Sequence, residues 1–282
     1  MKIKELQKTV FAQLQPVFDS VESRIFTDML LQHYTKHNRI SLNLNPQIAV
    51  EPAIVKQIDE AIADLLKHKP IQYVLGETEF CGLRFKVNPA VLIPRQETEE
   101  LVFWVAAENP LAKNMLDLCT GSGCIAVSLA DKLQNARLTG VDISFDALKV
   151  AEENAALNHV SIDFQHDDVL QSHFSLNKKF DVIVSNPPYV REAEKPQMQP
   201  RVLDYEPPSA LFVDDDNPLL FYKAIAHIGK THLANNGKLY FEINESYGEE
   251  IVKLLQQLDY KDVVLKKDIN GKDRMVRCAN AK

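Results

Sequence analysis

The sequence predicts an α/β protein in which a small all-helical domain precedes a doubly wound, mostly parallel β-sheet. The first 70 residues contain no glycine and repeat apolar residues at helical spacing. From Met115 onward, strand-like and helix-like segments alternate, the pattern of a parallel sheet covered on both faces. Between the two lies a stretch of two-residue alternation with glycines beside it, read as a β-hairpin connector. The expected domains are residues 1–70 (helical), 71–90 (connector) and 91–282 (sheet).

Taken in order, Ile3, Leu6, Val10 and Leu14 share one face of a first helix, and Val21, Ile25, Met29 and His33 are read as the apolar face of a second. Asp19 or Ser20 suits its N-cap. A third helix starts near Pro52, a tolerated first position, aligns Ile54, Val55, Ile58, Ile62, Leu65 and Leu66, and ends by Pro70. In the connector, Leu83, Phe85 and Val87 alternate with Arg84 and Lys86. Leu92 to Glu100 then leads into a helix with carboxylates in its first turn, where the helix dipole favours them, and this helix stops at Asn109-Pro110.

Strands follow at Met115 to Leu118, Leu138 to Val141, Ile162 to Phe164 and Phe180 to Val184, with helices after Gly123 and Asp146. Helix Leu219 to Leu233, strand Lys238 to Ile243, helix Glu249 to Leu258 and strands near Val263 and Val276 complete the reading.

Bulk properties exclude several classes. No run of about 18 apolar residues exists to span a bilayer, and the N-terminus lacks the apolar core of a signal peptide, so a cytoplasmic protein without membrane contact is expected. The four cysteines show no C-x-x-C pair, which argues against a disulfide framework or a zinc knuckle. A net charge of −7 argues against a large phosphate-binding face, so no nucleic-acid partner is expected. His33 and His37 have the i, i+4 spacing of metal ligands but no H-E-x-x-H context, and no metal is expected.

Two stretches carry chemistry. Asp117 to Ala126 runs from a strand through Gly121 and Gly123 into a helix, so that backbone N–H groups and a tight turn can approach a nucleotide-like ligand. Asp142, at the end of the next strand, is placed to accept the hydroxyls of a ribose, while Ser144 or Asp146 suits the helix cap. Asp168, beside Val169, is read either as a partner for an adenine amino group or as a simple turn residue.

The second stretch is Phe180 to Tyr189, a buried strand running into Asn186-Pro187-Pro188-Tyr189. The prolines stop the strand and stiffen the loop. A carboxamide and free carbonyls beside an aromatic ring can grip a planar NH2 group by its hydrogens. The loop alone does not separate adenine from glutamine.

Together these pieces resemble a Rossmann-like class I S-adenosylmethionine-dependent methyltransferase. Asn186-Pro187-Pro188-Tyr189 is similar to the motif of enzymes that methylate planar nitrogens. Ile93 to Glu99, Asp117 to Gly123, Phe180 to Tyr189, Glu206 to Leu211 and Asp268 to Arg274 follow the order and spacing of the HemK family, the release-factor glutamine methyltransferases, across essentially the whole chain. Gln96 replaces the family's usual proline, and Asn244 and Tyr247 stand where glycine and glutamine are usual.

The resemblance implies a seven-stranded sheet and S-adenosylmethionine as cofactor, with S-adenosylhomocysteine as product. It implies methylation of the glutamine side-chain nitrogen in the Gly-Gly-Gln motif of class 1 peptide chain release factors. A monomer is expected. Asn186, Pro187 and Tyr189 are the implied catalytic residues, joined by Pro188 in substrate binding. Cys119, Thr120, Gly121, Ser122, Gly123, Asp142, Asp168, Val169 and Asn186 are the implied cofactor contacts. Competing readings are an adenine-N6 DNA methyltransferase, which needs a cationic face, and a non-catalytic cofactor-binding partner of a translation factor.

Overall fold

In the computed structural model, Ile3, Leu6, Val10 and Leu14 form the buried stripe of α1 (Ile3–Leu14). The structure describes residues 1–171, 174 and 176–280. In α2 (Ser20–Thr35), Asp19 is the cap, accepting from the Val21 and Glu22 N–H groups at 2.8 Å each. Its buried face is Ser23, Phe26, Thr27, Leu30 and Leu31, whereas Val21 and Ile25 are exposed, so the apolar face read from the sequence is corrected. Ser23 and Thr27 tolerate burial because their hydroxyls donate to the Phe18 and Ser23 carbonyls. A short α3 (Arg39–Leu44), α4 (Pro52–Leu65) and α5 (Ile71–Leu75) complete the helical group. Residues 71–75 are thus helix rather than the start of the hairpin.

The chain forms two compact units, Met1–Gly76 with Gln199–Tyr205, and Glu77–Met198 with Glu206–Lys282. Within the helical unit the later segment is held by polar bonds: Arg201 pairs with Glu22 at 2.6 Å, and the Tyr205 hydroxyl donates to the Lys67 carbonyl at 2.8 Å.

The second unit opens with hairpin β1 (Glu77–Phe80) and β2 (Leu83–Lys86), turned by Cys81 and Gly82 at positive φ. Then follow α6 (Gln96–Glu108), β3 (Asn114–Leu118), α7 (Cys124–Lys132), β4 (Arg137–Asp142), α8 (Phe145–Leu157), β5 (Ile162–His166) and β6 (Phe180–Ser185). Beyond the proline loop come β7 (Val190–Arg191), α9 (Pro200–Leu203), α10 (Pro208–Leu211), β8 (Phe212–Val213), α11 (Leu220–His232), β9 (Leu233–Glu242), α12 (Gly248–Gln257), β10 (Tyr260–Lys267) and β11 (Asp273–Asn280).

The seven-stranded sheet has the order β10-β11-β9-β6-β3-β4-β5. Strands β3, β4, β5, β6 and β9 are parallel, and β11 runs antiparallel to both β9 and β10. Alternate side chains feed two cores. Leu116, Leu118 and Ile183 join residues of α11 and α12, while Met115, Val182 and Val184 join residues of α6 and α7.

From β3 the chain winds outward through β4 to β5, then returns to place β6 on the other side of β3. That reversal opens a crevice beyond the carboxyl ends of β3 and β6, the usual ligand position in such sheets. Among the described residues, no helix is long and apolar enough to cross a membrane.

Candidate active site

The sheet register brings the chemical residues to one level. Leu118 pairs with Val141 on one side and Ser185 on the other, so Cys119, Asp142 and Asn186 each stand one residue past that shared level, Asp142 still as the last residue of β4. The Ser185 hydroxyl donates to the Leu118 carbonyl at 2.6 Å and pins β6 to β3 there. Above them is a cleft of 340 Å³, within the range of small-molecule sites.

At one end the backbone turns sharply through Cys119 (φ 61°), Gly121 (φ 55°) and Gly123 (φ 77°). Nothing lies within 4 Å of where a Gly121 Cβ would stand, whereas one on Gly123 would meet the Ala151 Cβ at 3.0 Å. Gly121 thus keeps the turn open to the cleft, and Gly123 lets the loop close against α8. Asp142 braces the turn, accepting from Gly121 N–H at 2.8 Å and Ser144 N–H at 2.9 Å. Burial raises its pKa, and those backbone bonds oppose the rise. Ser144 caps α8 by accepting from Ala147 N–H, which frees Asp142 from capping.

Beneath the loop, fully buried Asp117 accepts from the Thr120 hydroxyl at 2.6 Å and Ala126 N–H at 3.2 Å through one oxygen. Its other oxygen has no hydrogen-bond partner. Desolvation pushes the Asp117 pKa up to about 7, with Asp142 adding to the rise and the two hydrogen bonds opposing it.

At the other end, Asn186 and Pro188 line the cleft, together with Thr98 from α6. The Asn186 carboxamide donates to the Thr98 hydroxyl at 3.3 Å, and that hydroxyl donates to Glu242 at 2.5 Å. The Tyr189 hydroxyl donates to the second Glu242 oxygen at 3.0 Å. Glu242 is 1% exposed, and burial raises its pKa against the pull of Thr98, Tyr189 and Arg274. Asn244 donates to the Tyr189 carbonyl at 3.1 Å, so the residue that replaces the family's usual glycine supports this same loop.

Of the residues singled out from the sequence, Cys119, Thr120, Gly121, Ser122, Asp142, Asp168, Val169, Asn186 and Pro188 line the cleft. Gly123 caps α7 instead, and Pro187 and Tyr189 stand outside the lining, the Tyr189 side chain being held by Glu242. Asp168 also builds a local turn, accepting from Leu170 N–H at 2.9 Å.

Sequence reasoning gave no role to Thr98, Glu206 or Glu242, although Thr98 and Glu206 fall within stretches that carry the family resemblance. Glu206 is 3% exposed and ties its own segment to the stretch before α6, accepting from Ile93 N–H at 3.0 Å and from Arg95 at 2.6 Å. The available signal for Glu242 was a carboxylate inside an apolar strand, between Phe241 and Ile243.

Residues 98–204 match the family model described as "Methyltransferase small domain", and residues 6–76 match "PrmC N-terminal domain". A release factor glutamine methyltransferase of Flavobacterium psychrophilum is 46% identical over 282 residues, covering 98% of this chain and 99% of the relative. The chain belongs to the release factor glutamine methyltransferase family. A second member, from Bacteroides thetaiotaomicron, is 41% identical over 93% of this chain and 95% of its own length. A solved methyltransferase of Pyrococcus furiosus matches with a TM-score of 0.50 at 17% identity, covering 70% of this chain and 89% of that one; this likeness concerns the fold alone.

As a member of this family the protein is an S-adenosylmethionine-dependent methyltransferase. The donor set suits that cofactor. Asp142, Asp167 and Asp168 line the cleft, and Arg95, the one basic residue among the described lining residues, is paired with Glu206. Carboxylates accept ribose hydroxyls and attract a sulfonium, but repel the pyrophosphate of a dinucleotide. Ile143, 57% exposed beside Asp142, offers an apolar surface for a flat ring.

Proposed function

We propose that this enzyme methylates the side-chain amide nitrogen of the glutamine in the Gly-Gly-Gln motif of peptide chain release factors. The observation that carries the reading is the position of Asn186, on the wall of the cleft that also holds the glycine turn and Asp142. The names of the relatives at 46% and 41% identity support the substrate.

The cofactor supplies, when bound, an electrophilic methyl group on a sulfonium sulfur. Asp142 would hold the ribose, and the Cys119–Gly123 turn would give the cofactor its backbone contacts. An amide nitrogen is a poor nucleophile because its lone pair is delocalised; rotation that breaks this conjugation in a peptide costs about 18–20 kcal/mol. The Asn186 side-chain oxygen and the Pro187 carbonyl each accept one hydrogen of the substrate NH2. They fix its plane and favour the positive charge that builds on nitrogen as it takes the methyl group. Preorganised bonds of this kind contribute about 3–4 kcal/mol each, and alignment near 3–3.5 Å contributes further. The nitrogen–carbon bond forms as the methyl carbon–sulfur bond breaks and the thioether leaves; the cationic nitrogen then gives its proton to solvent, so no strong base is needed before attack.

Incubation with methyl-labelled cofactor and a release factor tests the reading. Label is expected on the intact factor and not on its Gln→Ala variant; equal labelling of both overturns the assignment.

A further inference from the structure

An asparagine in an active site has two orientations with opposite chemistry, and the Asn186 loop contains nothing that chooses between them. With its oxygen toward the cleft it accepts from an amide; with its nitrogen there it offers a hydrogen to a hydrogen. The choice is made by residues far away in sequence.

The directions of three hydrogen bonds make it. Both oxygens of Glu242 accept from hydroxyls, Thr98 at 2.5 Å and Tyr189 at 3.0 Å. With both hydroxyls donating to it, Glu242 acts as the acceptor, and the single Thr98 hydrogen is committed to it. The Thr98 oxygen can then only accept from Asn186, which must present its NH2 group, at 3.3 Å. Its oxygen is left for the cleft. Thr98 and Glu242 are 2% and 1% exposed, so water does not compete with this arrangement.

We propose that Glu242 and Thr98 form a positioning relay that locks the Asn186 carboxamide with its oxygen facing the cleft, and so makes the site specific for an amide over a carboxylate. This rests on the methyl-transfer reading above. A glutamine side chain offers two hydrogens to the Asn186 oxygen and the Pro187 carbonyl, whereas a glutamate at the same position brings lone pairs against both. Tyr189 serves the relay from the other side by holding the second Glu242 oxygen.

Thr98→Val and Thr98→Ser separate the relay from packing. Valine keeps the shape and removes the hydroxyl; serine keeps the hydroxyl and removes a methyl group. T98V is expected to lower kcat on a release factor by on the order of 10- to 100-fold, with S-adenosylhomocysteine affinity within about twofold of the parent. T98S is expected to recover most of that loss. E242Q, which can present either an oxygen or an NH2 group to Thr98, is expected to fall between them.

A second readout needs no substrate. In the free protein, the Asn186 side-chain NH2 resonance, assigned by its loss in N186D, is expected to exchange slowly with solvent in the parent and T98S and rapidly in T98V. Equal loss of kcat in T98S and T98V, or slow exchange retained in T98V, overturns the relay. If the parent labels no release factor, the function assignment fails, while the exchange measurement still decides the relay.

Discussion

The two ends of the cleft each rest on a buried carboxylate that holds a threonine hydroxyl, and they differ in how the carboxylate is used. Asp117, under the glycine turn, bonds Thr120 three residues away and leaves one oxygen without a partner. Glu242, behind Asn186, bonds Thr98 from a position 144 residues away and has both oxygens occupied by hydroxyls. The glycine-turn end is a local device, braced by its own strand-turn-helix and by Asp142 from the adjacent strand. The Asn186 end is assembled from α6, the proline loop and the end of β9. On the proposed function, the first end takes the cofactor by local backbone shape and one braced carboxylate, and the second orients an amide with hydrogen bonds directed across the fold.

The largest effect that sharpens this contrast concerns stability. The Asp117 pKa stands at about 7 in the folded protein, above the ordinary carboxylate value near 4. The folded state therefore holds a proton that the unfolded chain has lost. Stability is greatest below about pH 4 on this account and falls as pH rises through 7, by about 4 kcal/mol from this group alone. Asp117→Asn is expected to flatten that part of the curve, read by urea unfolding at pH 5 and pH 8. An unchanged slope would remove the distinction drawn for Asp117.

Next come paired substitutions, one at each end. Asn186→Ala is expected to lower kcat by roughly 10²–10³ while leaving cofactor affinity nearly unchanged. Asp142→Ala is expected to do the reverse, weakening cofactor binding by roughly 10- to 100-fold through loss of charge-assisted bonds. Calorimetric titration with S-adenosylhomocysteine, beside single-turnover kinetics, reads both. A loss of cofactor affinity in Asn186→Ala as large as that in Asp142→Ala would merge the two ends into one.

What could be read from the sequence follows the same division. Asp142 and the glycine turn are legible because the acid ends the strand that follows the glycine loop and its helix, beside the strand that leads into the loop, a placement with a direct geometric reason. The parallel strands are legible because continuous apolar runs such as Val182 to Val184 are buried on both faces. Thr98 and Glu242 are not, because their pairing is a matter of tertiary register between α6 and β9, which no local pattern encodes. The second helix misled for a related reason. Its buried Ser23 and Thr27 bond backbone carbonyls of their own neighbourhood, so polarity ceased to mark the exposed side. Ile71–Leu75 is a helix too short for periodicity to distinguish from a strand.

The most direct test of the account is a crystal structure with S-adenosylhomocysteine and a peptide containing Gly-Gly-Gln. The glutamine side-chain nitrogen is expected within hydrogen-bond distance of both the Asn186 side-chain oxygen and the Pro187 carbonyl, facing the cofactor sulfur. A glutamine bound elsewhere, or an Asn186 carboxamide with its nitrogen turned to the peptide and Thr98 released from it, would contradict it.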